Sequence, residues 1–535
     1  MARPEVRRRR RFLGWAALAG VIGAAVFLAM AELVALVVAR EGSPILAVGA
    51  FVIDIVPQPF KEFAIATFGE YDKIALLAGL GLGAFIAAAI TGVLQFMKPP
   101  SGLVLLGVAG VASTAAIVTR AGATGLAWAP PVVGTIAGCL VLTLLVTRLR
   151  RWAAADPARM ADPGRPAEPV ESAGPVESAG LDRRGFFLVA AIAGASALVV
   201  GIGARAVNVA TSSIEAVRNA LRLPAARTTV PIPTGAELQV PGISPLFTPN
   251  ADFYRVDTAL TVPSVDPGTW RLVIDGMVDE RVELDFDELV GMGLDEFVIT
   301  LTCVSNEVGG GLVGNATWLG VPVRDVLSLA RPQPGADMVL SRSVDGFTAS
   351  TPLESLTDEG TDAILAVAMN GEPLPFEHGF PVRMVVPGLY GYVSATKWLT
   401  ELKVTTFDAD EAYWTPRGYS AKAPIKFSSR VDTPKSGRPV QAGTVPIAGV
   451  AWAQTVGIDR VEVSIDDGEW QPATLSTPIN DDTWVQWVLE WDAEPGTHYV
   501  AVRAVNRAGE TQIQERAPIA PDGSSGWQRT LITVT

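Results

Sequence analysis

Four stretches of this 535-residue chain are apolar for so long that water is the wrong solvent for them. Phe12–Ala39, Ile74–Met97, Leu103–Val118 and Trp128–Val146 approach or exceed the roughly 20 residues that a helix needs to cross a bilayer. Arg7 to Arg11 precede the first run, which is too long and unbroken for a signal-peptide core. It is predicted to span the membrane with its N-terminus in the cytoplasm. The run Pro44–Val56 is shorter, carries Asp54 and ends at Pro57, so it reads as an interfacial or re-entrant piece. Four spans return the chain to the cytoplasm and put Arg148, Arg150 and Arg151 inside, as the positive-inside rule prefers. No histidine occurs before His378, which excludes a bis-histidine haem among these helices.

Residues 152–182 are rich in Ala, Pro, Gly and Glu, with Pro-Val-Glu-Ser-Ala-Gly occurring twice in succession. Such a segment has no core to form and is expected to be a flexible linker. Asp182-Arg183-Arg184-Gly185-Phe186-Phe187-Leu188 then opens a fifth apolar run, with the look of a twin-arginine export signal set inside the chain. A fifth span over 183–208 puts everything beyond it outside the cytoplasm. Charge divides along the same line. Residues 1–208 hold 19 Lys+Arg and 13 Asp+Glu, a net of +6; the rest holds 23 and 42, a net of −19. So acidic a domain is a poor partner for nucleic acid and repels small anions at long range.

From Thr228 the chain breaks into short β-rich runs separated by Pro, Gly and Asp. Trp270–Ile274, Phe297–Leu301, Met338–Leu340, Val382–Val386 and Leu399–Val404 read as strands. Asp287–Val290, Val323–Leu329 and Asp362–Met369 read as short helices. Residues 209–426 are thus expected to form a mixed α/β domain. Beyond Val445 only alternating strand patterns remain: Val445–Trp452, Arg460–Ile465, Thr483–Leu489, His498–Val505 and Thr530–Val534. Residues 427–535 suit a small antiparallel sandwich.

Cys303 is the one cysteine outside the hydrophobic N-terminal third; the other is Cys139. It follows a strand-like run and precedes the flexible Gly309–Gly311. In an exported domain it has no disulfide partner, so it is either an inert core residue or a thiolate kept for a soft metal. No Gly-Lys-Ser/Thr follows the glycines, which argues against a phosphate loop.

Several pieces, in order, resemble the sulfite oxidase family of molybdopterin enzymes. They are Asn250-Ala-Asp-Phe-Tyr-Arg255, Trp270-Arg-Leu-Val-Ile-Asp-Gly276, Thr302-Cys-Val-Ser-Asn306, Asn370 through Gly388, Lys397-Trp-Leu399, Tyr413-Trp-Thr-Pro-Arg-Gly-Tyr419 and the closing Gly526-Trp-Gln-Arg529. The resemblance covers a little over half the chain and is silent on residues 1–208. It implies an α/β cofactor domain followed by an immunoglobulin-like dimerisation domain, with a molybdenum–molybdopterin cofactor. It also implies Cys303 as the metal ligand. Asn250, Tyr254, Arg255, Ser343, His378, Arg383, Thr396 and Lys397 match cofactor contacts. Tyr419 matches the active-site tyrosine near the substrate, and Arg417, two residues before it, is the nearest candidate for anchoring an anion.

The chain departs from the sulfite oxidase pattern after the cysteine, where Asn306 is kept but Glu307 and Val308 stand in place of two arginines. Sulfite needs nearby cations to offset its desolvation, so this change argues against it. The expectation is a multi-pass membrane protein with an extracytoplasmic catalytic part that transfers an oxygen atom on a small substrate, sulfite or a sulfoxide-like compound. The alternative is a non-catalytic cell-surface binding module on the same fold. No haem or iron–sulfur ligand set is evident, so a separate electron carrier, a cytochrome or the quinone system, is expected as partner.

Overall fold

Backbone amides in an apolar surrounding must bond within their own segment, and the four long apolar runs do so as helices. In a computed structural model these are α1 (Pro4–Val38), α2 (Asp72–Met97), α3 (Ser101–Val118) and α4 (Ala129–Ala154). All four are long and apolar enough to cross a membrane. The structure describes residues 4–38, 72–118, 126–154, 183–196, 214–259 and 262–535. The expected interfacial piece Pro44–Val56 lies outside them, as does most of the linker 152–182. The fifth run forms a helix over 183–196, and the rest of its expected span to 208 also lies outside the described residues.

The chain divides into two compact units, Met1–Ser212 and Ser213–Thr535. In the first, helices approach through small residues. A side chain on Gly20 would run into the backbone of Ala88 and Gly92, and one on Gly92 into Ala16 and Gly20. Pro99-Pro100 cannot continue α2, and the chain turns there into α3. At one end, Phe12, Trp152 and Phe186 are buried together with Leu145 and Leu149. Two arginines flank this cluster: Arg183 of the fifth run lies over Trp152, which Arg11 of α1 also approaches.

The second unit starts with two sheets. One is mixed, with strands in the order Val282–Asp285, Arg271–Gly276, Leu399–Thr405, Met338–Ser343 and Thr348–Pro352. Its only parallel pair is Arg271–Gly276 with Leu399–Thr405. The other is antiparallel: Asp295–Thr302, Val313–Pro322, Ile364–Met369 and Glu372–Pro373, with Arg383–Val385 also on Ile364–Met369. Their shared core includes Leu272, Ile274, Val321, Leu365, Val382 and Leu402.

One expected element changes type. Residues 362–369 were expected as a helix, yet Ile364–Met369 is a strand buried along its whole length. An unbroken apolar run of six carries no period, and its burial on both faces leaves none to see. Helices do form at Phe286–Gly291, where Asp285 and Glu288 make a capping box, and at Val323–Ala330.

The five expected C-terminal strands are all present. They divide between two four-stranded antiparallel sheets that also include Ser428–Thr433 and two short strands, Gln471–Pro472 and Thr474–Leu475. Val431, Ile447, Trp487, Val461, Val502 and Ile532 fill the space between the sheets.

Candidate functional site

The site lies where the ends of both α/β sheets meet, and six chain segments supply it. Cys303 stands at the end of Asp295–Thr302 and is buried. Tyr254 follows a tight turn, its ring stacked on Phe253, whose own ring meets His378 edge-on. His378 closes a short 3-10 turn, and Arg383 opens the strand next to it. Lys397 and Trp398 are consecutive yet both face the same space. In a regular strand they would point apart; Trp398 adopts φ 51, a left-handed conformation that breaks the alternation. Gly379 makes the convergence possible. At φ +109, a Cβ on it would come within 3.0 Å of Arg383 Cβ and 3.1 Å of Lys397 Cα.

These side chains line one cavity with Asp257, Thr258, Ser343, Asp345, Phe347, Tyr392 and Trp414. It encloses about 780 Å³ of space, part of it open to solvent.

The cavity's cations differ in how they are held. Lys397 Nζ donates to Asp257 (2.8 Å) and to the Glu377 carbonyl (3.1 Å). Burial pulls its pKa down to about 8, against the pull of Asp257. Arg383 has no carboxylate partner. Its two terminal nitrogens reach only the carbonyls of His378 (3.3 Å) and Ala395 (3.5 Å), and its Nε is buried without a hydrogen bond. Burial brings its pKa down to about 10. His378 Nε2 donates to the Asn250 carbonyl (3.1 Å), since a carbonyl only accepts. Burial first, then the charge of Arg383, lowers its pKa to about 4. The imidazole is therefore neutral at pH 7.

Burial pushes the Cys303 thiol up, opposed by the Ser305 amide at 3.4 Å from Sγ and by Lys397. Tyr254 is held well above the usual phenol range by burial and then by its closeness to Cys303. Thr302 Oγ1, beside the cysteine, is buried without a partner.

This donor set suits a particular kind of guest. Among the described residues no three His, Cys, Asp or Glu side chains are grouped to hold a metal ion. A lone buried thiol serves a metal only if the metal brings its other ligands with it. A buried guanidinium with no counter-ion and an unbonded Nε suits a phosphate. A molybdenum–pterin phosphate carries both features, so the residues fit that cofactor.

Of the residues singled out from sequence, Cys303, Tyr254, Ser343, His378, Arg383 and Lys397 line the cavity. Asn250, Arg255, Thr396, Arg417 and Tyr419 do not. The Asn250 carbonyl receives His378, and Arg255 Nε bonds Asp257 at 2.8 Å. Thr396 is fully buried against the Ser341 hydroxyl. Tyr419 packs edge-on against Tyr392 and Trp414, one ring behind the wall. Arg417 lies 3.7 Å over the Tyr413 ring. Glu307 is exposed, and neither it nor Val308 lines the cavity, so they bear on no guest there. Nothing in the sequence singled out Asp257 or Asp345. Trp398 and Trp414 lay inside the recognised pieces, unremarked.

Residues 259–414 match a family described as an oxidoreductase molybdopterin binding domain. Mitochondrial sulfite oxidase of Homo sapiens is 30% identical over 342 residues, covering 54% of this chain and 62% of that protein. Sulfite oxidase of Gallus gallus is 30% identical over 321 residues, covering 51% and 69%. The chain thus spans less than two thirds of the human protein. The solved sulfane dehydrogenase SoxCD from Paracoccus pantotrophus superposes at a TM-score of 0.47 and 23% identity, over 54% of this chain and 81% of that one. With this cavity and these relatives, the chain belongs to the sulfite oxidase family of molybdopterin-dependent oxidoreductases.

Proposed function

We propose that this protein is a membrane-anchored, extracytoplasmic oxidoreductase that transfers an oxygen atom on a small substrate, with neutral sulfoxide-like compounds favoured over sulfite. The observation that carries this reading is the convergence of Cys303, His378, Arg383 and Lys397 on one cavity, with Arg383 lacking any carboxylate. When bound, the molybdenum–pterin group supplies two-electron redox chemistry at the metal. Cys303 is proposed as its protein ligand. Arg383 holds the phosphate, and His378 and Lys397 lie beside it. Ser343 and Tyr254 contribute hydroxyls; Asn250, Arg255 and Thr396 act from behind, through the residues they bond. Tyr254 keeps its proton at neutral pH and so offers a donor to an oxygen seated near Cys303.

Substrate charge is read from the surroundings of the cavity. Asp257 Oδ2 holds both Lys397 and Arg255, at 2.8 Å each, and Arg383 is proposed to hold the phosphate. The wall also carries the Asp345 carboxylate, which accepts from the Thr258 hydroxyl, among Phe347, Tyr392 and Trp414. The net charge of −19 beyond residue 208 repels a small anion at long range. Tyr419 acts here by setting the Tyr392 and Trp414 rings, and Arg417 by packing on Tyr413.

Phe186 is buried in the helical bundle, which supports a retained fifth anchor in place of a transient export signal, even with the twin-arginine flank. Reducing a sulfoxide consumes two electrons and two protons and releases water, so a separate cytochrome or the quinone system would supply the electrons; oxidising a substrate would return them to the same carrier. The C-terminal sandwich, read as immunoglobulin-like, is the candidate dimer surface.

The test is metal analysis of the full chain from cofactor-competent cells, followed by a spectroelectrochemical titration with sulfoxides, N-oxides and sulfite. About one molybdenum per chain, lost in Cys303→Ala, with turnover of sulfoxides, is expected. A metal-free wild-type chain overturns the reading.

A further inference from the structure

The strand that presents Cys303 is the edge strand of its sheet, since Asp295–Thr302 pairs on one side only. An open edge leaves N–H and C=O groups unpaired and a strand end free to shift. Here the open edge is covered by the C-terminal sandwich. Asn480 Nδ2 donates to the Val298 carbonyl at 3.0 Å. The Thr300 amide donates to the Asp482 carbonyl at 3.0 Å. Gln454 Nε2 donates to the Thr300 carbonyl at 3.0 Å, and the Trp484 amide to the Thr300 hydroxyl at 2.8 Å.

The loop that follows the cysteine is held from the same side. Ser524 Oγ donates to the Asn306 carbonyl at 2.7 Å. Arg430, 8% exposed, donates from one terminal nitrogen to the Gly310 carbonyl (2.9 Å) and from the other to Ser244 Oγ (2.9 Å). Its Nε is fixed by Asp432 at 2.7 Å. Gly309, at φ +80, abuts Gln528: a Cβ there would lie 2.7 Å from that side chain. Within the loop, Asn306 Oδ1 accepts from the Leu312 amide (2.8 Å) and the Cys303 amide donates to the Leu312 carbonyl (2.9 Å). Every tie from outside comes to a backbone carbonyl or to a glycine, so it fixes where the chain runs, whatever its side chains.

We propose that the C-terminal sandwich is the positioning frame of the Cys303 loop, with Arg430 and Ser524 as positioning residues. The sandwich then has a role in each single chain, apart from any contact between copies. This rests on reading Cys303 as the metal ligand. The physical need is clear: a buried thiolate on an unsupported edge strand would wander by more than a metal bond tolerates.

The test uses the full-length chain, cofactor-free and loaded, as wild type, Arg430→Ala and Ser524→Ala. In the cofactor-free protein, amide hydrogen exchange over residues 303–312 should rise about tenfold or more in each variant. Exchange in Ile458–Ile465 and Met338–Ser343 should stay unchanged. In the loaded protein, kcat should fall about tenfold to a hundredfold with KM within a factor of two. Loop exchange that does not change, or that rises only together with those two strands, overturns the proposal. Should Arg430→Ala not fold, Ser524→Ala, which removes one bond at a half-buried hydroxyl, decides alone. The exchange readout needs no molybdenum, so a metal-free wild type would count against the proposed function and leave this measurement standing.

Discussion

The guanidinium of Arg383 lies 5.2 Å from the ring of Trp318, and its nearest polar partners are two carbonyls. Burial lowers its pKa from the ordinary 12.5 to about 10. That shift corresponds to about 3 kcal/mol of desolvation that folding without a guest does not recover. Replacing the group by an apolar one of similar length should therefore not harm the empty protein. Arg383→Met is expected to leave the cofactor-free chain as stable as wild type or more so, by chemical denaturation. The same variant should purify with little molybdenum. A cofactor-free unfolding free energy lowered by more than about 1 kcal/mol would mean that Arg383 is a structural residue.

The chain's two histidines should respond to acid in opposite ways. His378 is neutral when folded, with a pKa lowered from 6.5 to about 4. Between those values the unfolded chain binds the extra proton, so His378 costs stability as pH falls from 6.5 toward 4, up to about 3 kcal/mol. His498 has a raised pKa through its 2.7 Å bond to Asp466, so its stabilisation is present in acid and is lost as pH rises through its folded pKa. Unfolding of the cofactor-free chain, measured at pH 4, 5, 6 and 7.5, should show less acid destabilisation in His378→Gln than in wild type. His498→Gln should show more. Equal slopes in the two variants would contradict both assignments.

How far the sequence disclosed this arrangement depended on whether each element had a readable period. All five sandwich strands were legible from partial alternation between turn signals, although Ile447–Trp452 is buried on both faces. Ile364–Met369 has no wet face and was misread as a helix. Cys303, His378, Arg383 and Lys397 were legible through the recognised motif. Asp257 was not, because its role arises only when Lys397, 140 positions later in the chain, folds against it. The frame around the Cys303 loop was invisible for the same reason: its contacts run from residues 306 and 310 to 524 and 430.

Gly379 should tolerate no side chain. Its φ of +109 is unfavourable for any L-residue, and the space beside it is filled by Arg383 and the Lys397 backbone. Gly379→Ala is expected to cost about 2–4 kcal/mol. It should also separate His378 from Lys397 enough to lower cofactor content. Denaturation of the cofactor-free variant and molybdenum analysis of the loaded one check the two effects. A variant with wild-type stability and full metal would show that the turn has room to relax.

The bundle makes its own prediction at Gly20 and Gly92. Without a hydrophobic drive between helices in lipid, association relies on close backbone approach through small residues. A Cβ built on Gly20 falls 2.8 Å from the Gly92 Cα, which is too near for any side chain unless α1 and α2 part. Gly20→Leu and Gly92→Leu should each loosen that pair. Crosslinking between one cysteine placed on α1 and one on α2, in a Cys139→Ser background, reports on the pair. Crosslinking yield should fall severalfold when either leucine is added, whereas Gly14→Leu, with open space around its Cβ position, should leave it unchanged. Yields that ignore Gly20 and Gly92 would mean that α1 and α2 do not meet through these residues.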